Sequence, residues 1–104
     1  MTYTTQVMYP NEPDTEFNDT YYLETHMPLV ERNWKKYGLI SWFIKKYTAA
    51  FDGSEPKYSI ATTMEWESAE SFQAALKGPE SPEIFKDIPN FTNKQPITLG
   101  GSSL

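Results

Sequence analysis

The chain has 104 residues, enough for one domain with a single core and fewer than most stand-alone cofactor-binding enzymes use. Its net charge of −5, with no basic stripe and nothing longer than the doublets Lys35-Lys36 and Lys45-Lys46, excludes a polyanion partner, so no nucleic-acid binding is expected. With no cysteine it has no disulfide, thiolate metal site or cysteine nucleophile.

The first ten residues, MTYTTQVMYP, show neither a basic segment nor an apolar one, and no run approaches the ~18 apolar residues of a membrane span. A cytoplasmic protein without membrane contact is the expectation. Tyr3 to Tyr9 is rich in Tyr, Thr and Val and predicts a first strand with Tyr3, Thr5, Val7 and Tyr9 on one face. Asn11 to Thr15 is a polar, proline-containing loop. Asn18 or Asp19 then offers a capping oxygen, with Phe17 ahead of it as a hydrophobic staple.

From Asp19 to Tyr37 the spacing is helical. Leu23, Met27, Val30 and Trp34 form one row and Tyr22, His26, Leu29 and Asn33 the next. At about 100° per residue the two rows make a single apolar arc with His26 inside it. Glu24, Glu31, Arg32, Lys35 and Lys36 take the opposite side, and Gly38 suits the position after the last turn.

Leu39 to Ala49 predicts a second strand, with Ile40, Trp42 and Ile44 on one face and Leu39, Phe43 and Tyr47 on the other. Both faces are apolar near its start, so something besides the helices should cover it. Phe51 to Pro56 is a loop, and Lys57 to Trp66 a third strand with Tyr58, Ile60, Thr62, Met64 and Trp66 on one face. Ser68 caps a helix from Ala69 to Lys77, whose apolar side is Phe72, Ala75 and Leu76, stopped by Gly78-Pro79. Ser81-Pro82 restarts a helical turn to about Lys86, anchored by Ile84 and Phe85. Asp87 to Lys94 is a loop, Gln95 to Leu99 a last strand, and Gly100 to Leu104 a loose tail.

The order strand–helix–strand–strand–helix–strand is the ferredoxin-like α+β pattern, a four-stranded antiparallel sheet with both helices on one face. All 104 residues form one domain in this reading. The second face would stay exposed in a monomer, and the second strand makes it apolar. A homodimer with two sheets packed face to face follows, closing a barrel-like core.

For chemistry, His26 is the one side chain that titrates near neutrality. A core histidine tethered to backbone or to a tyrosine is the plain alternative. Pro28 weighs against it: it has no amide for the Glu24 carbonyl and disfavours helical dihedrals at Met27, so the helix should bend or restart beside His26. Rule-breaking of that kind collects at functional sites. Tyr22 lies one turn back from His26. Trp42 and Trp66 read as core or pocket wall, and Asn90, Thr92 and Asn93 surround Phe91 in a polar loop that turn chemistry also explains. One histidine and no cysteine make a metal site improbable, and no nucleophile elbow or phosphate-cradling glycine loop is present.

The segment Phe17 to Gly38 resembles the EthD family, small proteins named for ethyl tert-butyl ether degradation. Phe17, Tyr21-Tyr22-Leu23, His26-Met27-Pro28-Leu29-Val30, Trp34 and Gly38-Leu39 carry the resemblance, together with Pro89-Asn90-Phe91-Thr92-Asn93 followed by Gln95-Pro96. The family's fold is the dimeric α+β barrel. Its superfamily includes cofactor-free monooxygenases, muconolactone-type isomerases, polyketide cyclases and dehydratases, and some haem enzymes. The resemblance implies a pocket between helices and sheet into which His26 points, with Tyr22, Trp42, Asn90 and Thr92 as ligand-binding wall.

Two functions are in view. One is an enzyme without cofactor that acts on a small apolar or aromatic organic compound as an oxidoreductase, isomerase or dehydratase, with His26 as general acid/base. The other is a non-catalytic protein that binds such a ligand in a catabolic pathway.

Overall fold

The structure, a computed structural model, describes residues 2–104. Strands β1 (Tyr3–Pro10), β2 (Leu39–Lys46), β3 (Tyr58–Trp66) and β4 (Ile97–Gly101) form one sheet in the order β2-β3-β1-β4. Every pairing is antiparallel, with Thr5 opposite Met64, Trp42 opposite Met64 and Gln6 opposite Leu99. The first helix is a succession of α1 (Asp19–Tyr21), a π-helical turn Tyr22–His26, α2 (Met27–Trp34) and a 3₁₀ turn Lys35–Tyr37. Helices α3 (Ala69–Lys77) and α4 (Ser81–Lys86) and a 3₁₀ turn Ile88–Asn90 complete the layer. The α+β ferredoxin-like expectation is what the chain adopts, and Cα extents of 39 × 35 × 19 Å fit one sheet under one helical layer.

The core lies between these layers. Trp34, Met64 and Trp66 are buried at one end, while Tyr9, Tyr22, Ile60 and Phe91 fill the other. Buried polar atoms are paired across elements, as burial demands. Trp66 Nε1 donates to Thr5 Oγ1 at 3.0 Å, and Trp34 Nε1 to Ser81 Oγ at 3.2 Å. The Ser81 hydroxyl donates onward to the Ala75 carbonyl at 2.6 Å.

Several local expectations need correction. Leu23 is 53 % exposed rather than part of the buried row. The π turn inserts one residue, so burial runs Tyr22, His26, Met27, Val30, Trp34 and leaves Leu23 outside. In β2 the register shifts between Leu39 and Ser41, a bulge at Ile40. Leu39 therefore shares the helix side with Trp42 and Ile44, while Ile40 and Phe43 point away from the helices. β2 also stops at Lys46, short of Ala49, because the backbone turns into the loop that Gly53 permits at φ 85°. Phe85 is half-exposed and touches Trp34 edge-on, leaving Ile84 as the buried anchor of α4. The last strand starts two residues late and takes in Gly100 and Gly101, which pair with Thr5 and Thr4. A side chain at Gly100 would collide with the Tyr3 ring, so glycine lets the edge strand close against β1.

Candidate active site

The site begins with the cap of the first helix. Asn18 Oδ1 accepts from the Tyr21 amide at 3.0 Å, and the Asn18 amide donates to the Phe91 carbonyl at 2.8 Å. The helix start is thereby sewn to the loop before β4. Phe17 bridges to Thr92 as an isolated β pair, and its ring packs on Tyr9, Tyr22 and Phe91 at 5.0 to 5.4 Å.

Three residues further on the helix widens. The Met27 amide donates to the Tyr22 carbonyl, five residues back, instead of to Leu23. Return to regular i→i−4 bonding leaves one donor position without a place in the ladder, and Pro28, in the first turn of α2, has no donor to lose. The bend that Pro28 leads one to expect is thus a π turn, and His26 is its last residue.

His26 is 4 % exposed. Its ring stacks on Tyr22 at 5.5 Å and 13°, and Phe91 covers it at 4.5 Å. Nδ1 lies 2.8 Å from Asp87 Oδ2, while Asp87 Oδ1 accepts from the Tyr21 hydroxyl at 2.6 Å and from Asn90 Nδ2 at 2.9 Å. Nε2 has no hydrogen-bond partner among the described residues. Yet no fully buried side-chain polar atom lacks a partner, so Nε2 is reached by solvent.

The electrostatics settle the proton. Burial depresses the basicity of His26, and the Asp87 hydrogen bond and charge only partly offset it, so the imidazole titrates below its ordinary value and is neutral at pH 7. Burial works to raise the Asp87 carboxyl, but hydrogen bonds from Tyr21, Asn90 and His26 prevail and hold it below the usual carboxylate range. An ionised Asp87 accepts only, so it fixes the proton of neutral His26 on Nδ1 and leaves the Nε2 lone pair free. A neutral imidazole oriented by a carboxylate can take a proton from a bound molecule.

The other residues singled out in the sequence fall around this pair. Tyr22 is buried and is the ring beneath His26, and its hydroxyl shares a 2.6 Å hydrogen bond with Thr62 Oγ1 on β3. Asn90 is exposed and bonded to Asp87. Thr92 donates to the Glu16 carbonyl at 2.7 Å and serves as a clasp for the loop. Trp42 is half-buried on β2, its Nε1 donating to Glu31 at 2.9 Å, and has no polar tie to His26.

Two cavities flank the pair without being lined by His26 itself. An open groove of about 900 Å³ runs along Glu16 to Asp19 and Pro89 to Asn93, and so touches Asn90 and Phe91. A smaller apolar cleft of about 210 Å³ lies between the first helix and the sheet, lined by Phe17, Tyr22, Leu23, Ile44 and Ile60, with the Lys46–Asp19 ion pair at its wall.

Sequence reasoning missed Asp87 and did not place Tyr21 among the site residues. Asp87 stands 61 residues from His26. A local cue existed, since Asp87 and Asn90 are three apart, a spacing at which an Asx pair bonds across one turn.

A scan against protein-family models gives no match, and neither does a search of curated proteins. Solved structures do match. An EthD-like protein from Ralstonia eutropha is 26% identical, with a TM-score of 0.87 over 97% of this chain and 90% of that one. An ethyl tert-butyl ether degradation family protein from Bacillus halodurans is 22% identical, with a TM-score of 0.78 over 100% of both chains. A dimeric ferredoxin-like protein of unknown function from Jannaschia is 10% identical, with a TM-score of 0.68 over 99% of this chain and 100% of that one. No helix among the described residues is long and apolar enough to cross a membrane.

Proposed function

This chain is EthD-like in fold along nearly its whole length, and from that premise we propose a cofactor-independent enzyme for a small apolar or aromatic organic compound. His26 is its general base. The observation that carries this reading is the division of labour on one ring, with Nδ1 committed to Asp87 and Nε2 left without a partner.

Nε2 takes a proton from an activated C–H or O–H of the bound compound, leaving an enolate or phenolate. The imidazolium that forms keeps Nδ1–H directed at the ionised Asp87, which stabilises it. Returning the proton to another carbon isomerises the compound, and loss of a β-hydroxyl as water dehydrates it. Tyr22, Phe91 and the adjoining apolar cleft offer the dry surface that an aromatic or aliphatic body needs. In this reading the ligand wall is divided, with Tyr22 on the cleft, Asn90 and Thr92 on the open groove, and Trp42 on β2 lining neither. The polar atoms of Trp42 and Thr92 are committed to Glu31 and to the Glu16 carbonyl, so Thr92 contributes apolar surface only.

The test is hydrogen exchange in D₂O on a panel of phenols and β-dicarbonyl compounds, followed by loss of the C–H signals in NMR. Wild type should accelerate exchange of at least one member, and His26→Gln should abolish the acceleration. Exchange that survives in His26→Gln overturns the role of His26. A wild type that binds members of the panel and exchanges none would mark a small-ligand-binding accessory protein instead.

The same reading includes a homodimer. Ile40 and Phe43 on β2 and Ile97 and Leu99 on β4 stand 41 to 60 % exposed on the sheet face that carries no helix, two apolar edges that flank a polar centre of Gln6, Thr63 and Glu65. Two such faces packed together cover both, and the Jannaschia neighbour is dimeric.

A further inference from the structure

In a regular α-helix Tyr21 and His26, five residues apart, would lie about 140° apart around the axis and could not meet one partner. The π turn changes that. Its i→i+5 hydrogen bonding brings residues five apart back to nearly the same side. Tyr21 Oη and His26 Nδ1 accordingly reach the two oxygens of one carboxylate, 2.6 Å to Asp87 Oδ1 and 2.8 Å to Oδ2. Asn90 adds a second donor to Oδ1 at 2.9 Å. Asp87 itself is held by backbone, since it ends α4 with its amide bonded to the Ile84 carbonyl, and the Asn90 amide bonds back to the Asp87 carbonyl at 3.0 Å. A carboxylate on a tied backbone, with one oxygen doubly occupied, presents its other oxygen to a third donor.

We propose that Tyr21 and Asn90 are positioning residues, a two-donor clamp on Asp87 Oδ1 that aims Oδ2 at His26 Nδ1 and so sets the tautomer and basicity of the base. The clamp rests on the reading of His26 as that base. It explains why two adjacent tyrosines have unlike roles: Tyr22 packs under the imidazole, while Tyr21, the last residue before the helix widens, works through Asp87. Asp87 is the charged group acting on His26. The titratable rings beside it on its own helix are Tyr21 and Tyr22, and β3 presents to Tyr22 the neutral hydroxyl of Thr62. A change in the donors on Oδ1 therefore has one route to the imidazole, through the carboxylate.

The direction follows. Donors on Oδ1 disperse the carboxylate charge, so removing one leaves more charge on Oδ2, strengthens its hold on the imidazolium and makes His26 more basic. His26 is the chain's one histidine, so ¹⁵N-labelled protein yields a single set of imidazole resonances to follow against pH.

Wild type above its midpoint should show Nδ1 protonated and Nε2 bare. Tyr21→Phe should move the midpoint upward, and it keeps the ring that stacks near Phe91. Asn90→Ala, a change at an exposed side chain, should move it the same way. In an Asp87→Asn background Tyr21→Phe should move nothing, because the intermediary is gone. Midpoints unchanged in both single variants, or a Tyr21→Phe shift that persists in the Asp87→Asn background, overturn the clamp. The exchange assay separates the two readings: if His26→Gln leaves exchange intact while Tyr21→Phe still shifts the midpoint, the base falls and the clamp stands.

Discussion

His26 holds its two nitrogens in unlike surroundings, one sealed against a carboxylate and one open, and the proposed role as a base rests on that asymmetry. Its depressed basicity has two pH consequences. Exchange catalysis should rise through an acid limb whose midpoint lies below the ordinary histidine value of about 6.5, with His26→Gln costing on the order of 10²–10⁴-fold above it. The stability effect has a definite sign. The unfolded chain takes up the proton at about 6.5 and the folded chain only at lower pH, so the contribution of His26 is complete above about 6.5. It declines as pH falls from there to the folded value. Asp87, also depressed, loses its contribution at still lower pH, as the medium falls from its unfolded value through its folded one. Urea unfolding at a series of pH values should show wild-type stability dropping below about pH 6.5 and a smaller drop in His26→Gln. Equal drops in the two proteins would remove His26 from the account. Among packing residues, Tyr22→Phe strips Thr62 Oγ1, in a fully buried residue, of its one side-chain partner. Unfolding measurements should find it about 1–3 kcal/mol less stable.

At the level of elements, two irregularities break the regular pattern, and the first of them places the site. The π turn lets Tyr21, Tyr22 and His26 all serve the same region, and Pro28 makes it tolerable by lacking a donor. The sequence showed that something must give beside His26. It did not show that the helix would widen rather than kink, because that choice rests on the tertiary bonds of Tyr22 to Thr62 and His26 to Asp87. At the other end of the helix Gly38 takes φ 116°, with the Ser71 side chain 2.7 Å from where a Cβ would stand. Gly38→Ala would meet both a left-handed backbone and that contact. The expected cost is about 1–3 kcal/mol in urea unfolding, and a neutral result would show that the turn can rearrange. The bulge at Ile40 was the second irregularity, invisible in a strictly alternating pattern and responsible for sending Leu39 inward and Ile40 outward.

For the whole molecule, the deciding feature is a sheet with one face covered by helices and one open face that is apolar along its two edge strands. Phe43, 50 % exposed on the outer side of β2, is the most informative probe of it. Phe43→Lys should leave the helix layer intact and give a monomer in sedimentation velocity at micromolar concentration, where wild type, under the homodimer proposal, should sediment as a dimer. A wild-type monomer at that concentration would end the homodimer proposal.

Element order, caps and the inward placing of His26 were determined by the sequence alone, since each rests on residues within a few positions of one another: Asn18 and Ser68 as caps, Gly38 as a stop, strands read from alternation. The tertiary structure alone decided which carboxylate meets His26, and that Tyr21 rather than Tyr22 bonds to it. Those contacts join residues 61 and 66 positions apart, and chain folding, not local periodicity, sets where such residues meet.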